Sequence, residues 1–310
     1  MRNRLATALG VTGAGVVLAG ALAACGGSGT AAGALPGSGG GGEQKLVAAT
    51  PVAPASVISA SSTLTAIRKR GRLAVGASND IPLYSLKDPV NGQYTGFDAT
   101  LAKMLAKYII GKPNVKWVNI TSDTREALLE NGTIDTAIAT YQITPDRAKK
   151  VNFAGPYLMG GGGLLVRKDN TTIHGMADLA GKTVTTMPAI ASEDLHKRQP
   201  KAKQVIFDSA TQCLKALQQG RADAFYLNTA ILDGFLTKNH DVKYAGAPIP
   251  DVPFGIGLPK DDPAMKKAVN AWLTQIETSG QWTRLWQTTV GTVQKRTPPK
   301  PPKPGTVPGT

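Results

Sequence analysis

The sequence predicts an α/β fold of two lobes that face each other across a cleft. Three observations predict it. Short apolar runs alternate with amphipathic stretches, the pattern of strands crossing to helices in largely parallel sheets. One helix–turn–strand unit occurs twice, about 90 residues apart. Gly- and Pro-rich stretches fall where such a chain would cross between lobes.

In chain order, residues 72–77 (RLAVGA) read as a strand. Residues 99–110 read as a helix, because Leu101, Met104, Leu105 and Tyr108 recur at three- and four-residue spacing. Residues 116–120 read as a strand, 124–130 as a helix stopped by Asn131-Gly132, and 134–140 as a strand. The repeated unit is Leu129-Glu-Asn-Gly132-Thr-Ile-Asp135-Thr-Ala-Ile against Leu217-Gln-Gln-Gly220-Arg-Ala-Asp223-Ala-Phe-Tyr. In each copy Gly supplies the left-handed residue that ends the helix. Beyond each Asp the strand runs into a polar cluster: Thr140-Tyr141-Gln142 in the first copy, Asn228-Thr229 in the second. Open α/β sheets bind ligands at the carboxyl ends of their strands, so both clusters are expected on the cleft. Short helix–strand units also resemble one another by chance, and the sequence leaves that alternative open.

Gly155-Pro-Tyr157 followed by Gly160 to Gly163 is one candidate crossing, and residues 247–254, with Pro248, Pro250 and Pro253, are the other. The glycine run lacks the Lys-Ser/Thr of a phosphate loop. The expected organisation is a signal peptide at 1–24, a flexible tether at 25–60, lobe 1 at 61–158 plus 252–291, lobe 2 at 159–251, and a disordered Pro/Lys-rich tail at 292–310. Both ends lack the apolar periodicity that would offset their ordering entropy.

At the amino end, Arg2 and Arg4 precede an apolar stretch of Gly, Ala, Val and Leu that runs to Leu22-Ala23-Ala24-Cys25-Gly26. Small residues before a cleavage point suit a signal peptidase. The Cys just after them resembles the bacterial lipobox, in which the thiol receives a diacylglycerol and becomes the new terminus. Plain secretion after Ala23 and an uncleaved helix are the alternatives, the second weakened by its glycines. Two acyl chains suffice for stable anchoring to the outer face of the membrane.

The formal charge is +14. Part of it sits in the leader and in Lys295, Arg296, Lys300 and Lys303 of the tail. A soluble basic surface and attraction to anionic lipid headgroups both fit it. The basic residues are not interleaved with aromatics and no nucleic-acid reading motif is present, so nucleic acid is not an expected partner.

Ile143-Thr144-Pro145-Asp146-Arg147 is a helix start: Thr144 the N-cap, Pro145 the first helical residue, Asp146 at the positive end of the dipole. Free N–H groups there attract an anion. Arg147, in the same turn, offers a forked guanidinium to a carboxylate. A surface Arg on a capped helix is the plainer alternative.

Tyr94-Thr-Gly-Phe-Asp98, Ile143-Thr-Pro-Asp-Arg147 followed by Val151-Asn-Phe153, Leu179-Ala-Gly-Lys182 and Gly255-Ile-Gly-Leu258 together resemble the polar-amino-acid solute-binding family of ABC importers, over roughly residues 68–290. The resemblance is nearest to actinobacterial glutamate/glutamine-binding lipoproteins. It implies a periplasmic-binding-protein-like type II fold, two α/β lobes joined by a two-strand hinge that close on a small amino acid. It also implies ABC permease subunits as membrane partners and a monomeric receptor with no cofactor.

Carried across, the resemblance implies that Arg147 clamps the ligand α-carboxylate. Thr140 and Gln142 meet its ammonium and carboxylate. Ser122 and Arg125, a Ser-x-x-Arg pattern, face the ligand side chain, and Asp80 lies in a loop that lines the pocket. An exposed residue on its helix is the alternative for Arg125. Two departures stand out. Asn228 takes the place of an Asp that pairs with the α-ammonium, which predicts roughly tenfold weaker amine binding or a ligand without a free ammonium. Met187-Pro188-Ala189-Ile190-Ala191-Ser192 replaces a Gly-Ser/Thr-Thr loop, with Ser192 a partial substitute. Relatives also pair the Cys213 counterpart with a Cys where this chain has Thr185, so Cys213 is expected unpaired and buried.

Two other classes compete with a transport receptor. One is a sensor that docks on a membrane signalling protein. The other is an enzyme, since dehydratase and lytic glycosidase relatives share the fold. Acid–base chemistry needs a positioned His or a carboxylate pair. His174, His196 and His240 lie outside every pocket segment, and Glu193-Asp194 reads as a solvated helix face. No metal spacing or nucleophile motif is present, so no enzyme is expected.

Overall fold

A computed structural model describes residues 40–121, 123–188, 190–207, 209–249, 252–294 and 297–310. The signal segment, Cys25 and the first part of the expected tether lie outside the described residues. Lobe 1 opens with helices α1 (Gly40–Ala48), α2 (Ala55–Ser59) and α3 (Ser62–Arg70). Strands β1 (Leu73–Ala77), β2 (Asp80–Ile81), β3 (Ser85–Lys87) and β4 (Tyr94–Thr95) lead into α4 (Phe97–Ile110). Then come β5 (Val115–Asn119), α5 (Arg125–Glu130), β6 (Thr136–Ala137), α6 (Pro145–Lys150) and β7 (Asn152–Gly160). Lobe 2 holds β8 (Gly162–Arg167), β9 (Thr183–Thr186), α7 (Ile190–Arg198), β10 (Lys203–Ile206), α8 (Ala210–Gln218), β11 (Ala224–Asn228), α9 (Thr229–Leu236) and β12 (Val242–Tyr244). The chain returns to lobe 1 through β13 (Val252–Leu258), α10 (Pro263–Thr278), α11 (Gln281–Thr288) and α12 (Gly291–Gln294).

The two main sheets share one plan. In lobe 1 the order is β5-β1-β6-β13-β7, and in lobe 2 it is β10-β9-β11-β8-β12. Three parallel strands come first in each, followed by two joined antiparallel. Side chains alternate between the two faces of each sheet, as the pleat requires. On β8, Leu164 and Val166 enter one apolar cluster and Leu165 the other. Helix α10 buries Met265, Val269, Trp272, Leu273 and Ile276, a stripe at helical spacing.

Glycine has two steric tasks at the first crossing. A Cβ on Gly160 would stand 2.3 Å from Phe254 Cζ, and one on Gly162 would stand 1.8 Å from the Tyr226 hydroxyl oxygen. The glycines therefore let two aromatic rings close over the backbone between the lobes.

Two expectations need correction. Residues 40–60, expected as tether, are folded onto lobe 1. Leu46, Val47, Ala53 and Ile58 enter its core, Thr100 Oγ1 donates to Glu43 Oε2 at 2.7 Å, and Ala53 N–H donates to Tyr108 O at 2.8 Å. Four apolar side chains and a buried carboxylate anchor a stretch whose composition alone reads as linker. Residues 297–310, expected as disordered, also lie on lobe 1. Gly305 N–H donates to Gly155 O at 2.7 Å, and Val307 packs against the cluster that holds Ile143 and Phe153. Proline needs no donor partner of its own, so the prolines of this segment leave no backbone N–H to satisfy.

Cys213 is buried and unpaired on α8, where its thiol donates to Thr186 O at 3.3 Å and burial pushes its pKa up to about 11. Among the described residues no helix is long and apolar enough to cross a membrane.

Candidate functional site

A cleft of about 590 Å³ lies between the lobes. Lobe 1 lines it with Arg125, Thr140, Gln142 and Arg147, and lobe 2 with Met187, Glu193, Asp194, Tyr226 and Asn228 among others. A hollow of about 200 Å³ shares Arg125, Thr140, Asn228 and Ile231 with it and reaches Ser78 and Thr121.

The lobe 1 wall is set by the chain after β6. Thr140 has a φ of 45°, a left-handed conformation rare for a β-branched residue. Its N–H donates at 2.7 Å to Asp98 Oδ2, in the first turn of α4. Asp98 also accepts from the Tyr157 hydroxyl at 2.9 Å. Burial pushes this carboxyl up to about 7, against the lowering effect of those two bonds. Asp98 therefore holds the bend that turns Thr140 toward the cleft.

The next residues alternate. Thr140 and Gln142 line the cleft, while Tyr141 is fully buried between them. Two guanidiniums stand over the Tyr141 ring, Arg125 Cζ at 4.0 Å from the centroid and Arg147 Cζ at 5.4 Å. Thr144 caps α6, accepting from Arg147 N–H at 3.3 Å, with Pro145 first in the helix. Arg147 Nη1 donates to Gln142 O at 3.0 Å, and its Nε lies 4.0 Å from Glu126 Oε1.

Arg125 is the less satisfied of the pair. It is 6 % exposed, its Nε is buried without a hydrogen-bond partner, and its pKa is brought down to about 10, by burial first and then by the charge of Arg147. Two cations on one half-buried wall, one of them short of acceptors, form a receptor for anionic oxygen.

The lobe 2 wall is set by β11 and α7. Asn228 ends β11 and caps α9, its Oδ1 accepting from Ala230 N–H at 2.8 Å. Asp194 accepts from Arg198 Nε at 2.9 Å and from the Tyr226 hydroxyl. Glu193 is exposed, as expected of a solvated helix face, but it lines the cleft together with the half-buried Asp194, because α7 follows β9 at the end of the sheet that faces lobe 1.

Of the eight residues expected at the site, Arg147, Arg125, Thr140, Gln142 and Asn228 are brought together. Ser122 lies outside the described residues. Asp80 is exposed and pairs with Leu86 in a separate three-stranded sheet, so it does not line the cleft. Ser192 sits between two lining residues of α7 without lining the cleft itself, and its carbonyl accepts from Gln204 Nε2 at 3.1 Å. Sequence reading missed Asp98 as the support of Thr140. The available signal was a carboxylate in the first turn of a helix whose neighbours are all apolar or small.

The fold and this cleft define a two-lobed, hinged receptor for a small ligand. The chain belongs to the bacterial extracellular solute-binding proteins, family 3, whose profile matches residues 73–292. It is 32% identical over 236 residues to the ABC transporter glutamine-binding protein GlnH of Bacillus subtilis, covering 75% of this chain and 86% of that one. It is 31% identical over 239 residues to the glutamate-binding protein GluB of Corynebacterium glutamicum, covering 72% of this chain and 80% of the relative. Among solved structures it is similar to an ancestral cationic amino acid solute binding protein, with a TM-score of 0.66 and 34% identity over 74% of this chain and 100% of the other. All three are named as binding proteins, GlnH as that of an ABC transporter, and none is named as an enzyme.

Proposed function

We propose that this protein is the lipid-anchored substrate-binding component of an ABC importer, held at the outer face of the membrane through Cys25. It captures a small amino acid of the glutamate, glutamine, aspartate or asparagine type by hinge closure and delivers it to permease subunits as a monomer. The observation that carries the reading is the Arg125–Arg147 pair over Tyr141, on the wall of a cleft between two lobes. Arg147 takes the α-carboxylate together with the first turn of α6, and Arg125 takes the side-chain carboxylate or amide. Thr140 and Gln142 add polar contacts between them. A bound anion gives the buried Arg125 the acceptor it lacks and screens the repulsion between the two guanidiniums, so ligand affinity and protein stability rise together.

Titration calorimetry of the purified protein against the twenty amino acids and a set of dicarboxylates tests this. Binding confined to carboxylate ligands of four or five carbons is the expected outcome, and no heat with any of them rejects it. Cys25→Ser abolishes partition into a detergent phase if the thiol carries the lipid.

A further inference from the structure

Helix α6 carries Arg147, yet it is only six residues long and none of them is fully buried. Two lysines hold its later half, Lys150 Nζ to Glu126 Oε2 at 2.8 Å and Lys260 Nζ to Ala148 O at 2.5 Å, and both lie at the surface. Exposed lysine contacts contribute little. A helix this short does not hold itself together either. A group that grips a ligand needs to be held to within about 0.5 Å by packed neighbours.

Residues 305–310 supply that packing. Gly305 N–H donates to Gly155 O at 2.7 Å, which seats the segment on β7, the edge strand of the lobe 1 sheet. The chain then turns on itself, with Thr310 donating its N–H and its hydroxyl to Val307 O at 3.0 and 2.6 Å. The turn lays Val307, together with the half-buried Ala148, against the apolar cluster that holds Tyr141, Ile143 and Phe153. Gly309 comes so near to α6 that a Cβ on it would stand 2.7 Å from Ala148 Cβ, and its φ of 97° suits glycine. Tyr141 is the ring beneath both guanidiniums, and Ile143 and Ala148 flank Arg147 in the chain.

We infer that residues 305–310 are a positioning segment of the binding site: they tie α6 to β7 and so set where Arg147 stands. The inference rests on the carboxylate-gripping role proposed for Arg147. The segment does not line the cleft and acts through Ala148 and the Ile143 cluster. A plain cover for the sheet edge would stabilise lobe 1 and leave ligand affinity alone, which makes the two roles separable.

Two variants of the whole protein test it. One lacks residues 305–310. The other, Gly309→Val, keeps them but forces the turn off Ala148. Calorimetry with L-glutamate, L-glutamine, L-aspartate and L-asparagine reads affinity. In both variants, every one of these that binds the unaltered protein is expected to bind about five- to tenfold more weakly. Hydrogen exchange at the Ala148 and Val151 amides, which bond to Thr144 O and Arg147 O, is expected to quicken while exchange in β1 stays the same. In an Arg147→Ala background the same changes are expected to weaken binding by less than about twofold, because the group they position is gone. Unchanged affinity in either variant overturns the inference, as does unchanged exchange in α6. An equal loss in the Arg147→Ala background also overturns it, since the segment then acts on the lobe and not through the guanidinium. If none of the four amino acids binds the unaltered protein, the proposed function falls and this inference falls with it.

Discussion

In lobe 1, Asp135 follows a left-handed Gly132, donates its N–H to Ala74 O at 2.8 Å and accepts the Ala74 N–H on its side chain at 2.7 Å. In lobe 2, Asp223 follows a left-handed Gly220, donates to Thr183 O at 2.8 Å and accepts the Thr183 N–H at 2.8 Å. Each carboxylate ties its strand to the start of the neighbouring one, β1 in one lobe and β9 in the other. The frames coincide to this level of detail and then diverge within five residues. The lobe 1 copy runs into a left-handed Thr140, a buried Tyr141 and two guanidiniums. The lobe 2 copy runs straight from strand into helix with Asn228 as the cap. The sheet frame thus fixes where a wall stands, and the few residues past the strand fix which charge it carries. That division puts the paired guanidiniums on one wall and a wall of nearly balanced charge opposite.

Substitutions can break or sharpen this contrast. The largest effect concerns Asp98, which props the lobe 1 wall and has no counterpart described on the lobe 2 wall. Folded Asp98 keeps its proton to about pH 7, while its ordinary value is 3.8. Between those values the unfolded chain holds fewer protons than the folded one, so stability falls as pH rises, by up to about 1.4 kcal/mol per pH unit, and levels off above the folded value. Asp98→Asn keeps an oxygen for Thr140 N–H and removes that slope. Chemical denaturation from pH 4 to 8 measures it, and parallel slopes for the two proteins would disprove the assignment.

Arg147→Ala comes next. Under the proposed role it removes the charge that meets the ligand carboxylate, and affinity is expected to fall at least about a hundredfold, or about 2.7 kcal/mol. Unchanged affinity rejects the grip. Asp135→Ala and Asp223→Ala probe the shared frame. Both lose a bond to a backbone N–H, worth about 1–3 kcal/mol when the donor is left buried. Asp135→Ala is expected to cost the more, because Asp135 also pairs with Arg70. Equal melting shifts would show that this ion pair adds nothing.

The smallest effect is expected from Arg125→Met. Affinity for dicarboxylates falls about tenfold, while the empty protein melts no lower and by up to a few degrees higher, since a desolvated cation near Arg147 is gone. A lower melting temperature would mean that the contact with Tyr141 outweighs the burial cost.

Much of this was legible in the sequence, for physical reasons. The Thr144–Pro145 helix start, the Gly132 and Gly220 stops and the repeated Asp are local signals, and local signals survive without knowledge of the fold. Arg147 was legible because it sits inside one of them. Residues 40–60 were not, since a Gly- and Ala-rich average hides Leu46, Val47, Ala53 and Ile58, whose burial depends on α4 and α11 being there to receive them. That Glu193 and Asp194 border the cleft was not legible, because charge pattern alone does not say which side of a helix faces another lobe. The role of Asp98 depends on Thr140, 42 positions away in the chain, and no spacing rule connects them.

Lobe 2 is one uninterrupted stretch of chain inserted into lobe 1, and residues 40–60 and 297–310 are both fastened to lobe 1. Whatever grips the molecule ahead of residue 40 therefore grips the half that carries Arg125 and Arg147. Under the proposed hinge closure the cations form a stationary anvil, and the other half would travel as a single lever arm on two backbone strands. A docking partner that touches both halves would then register ligand as an angle.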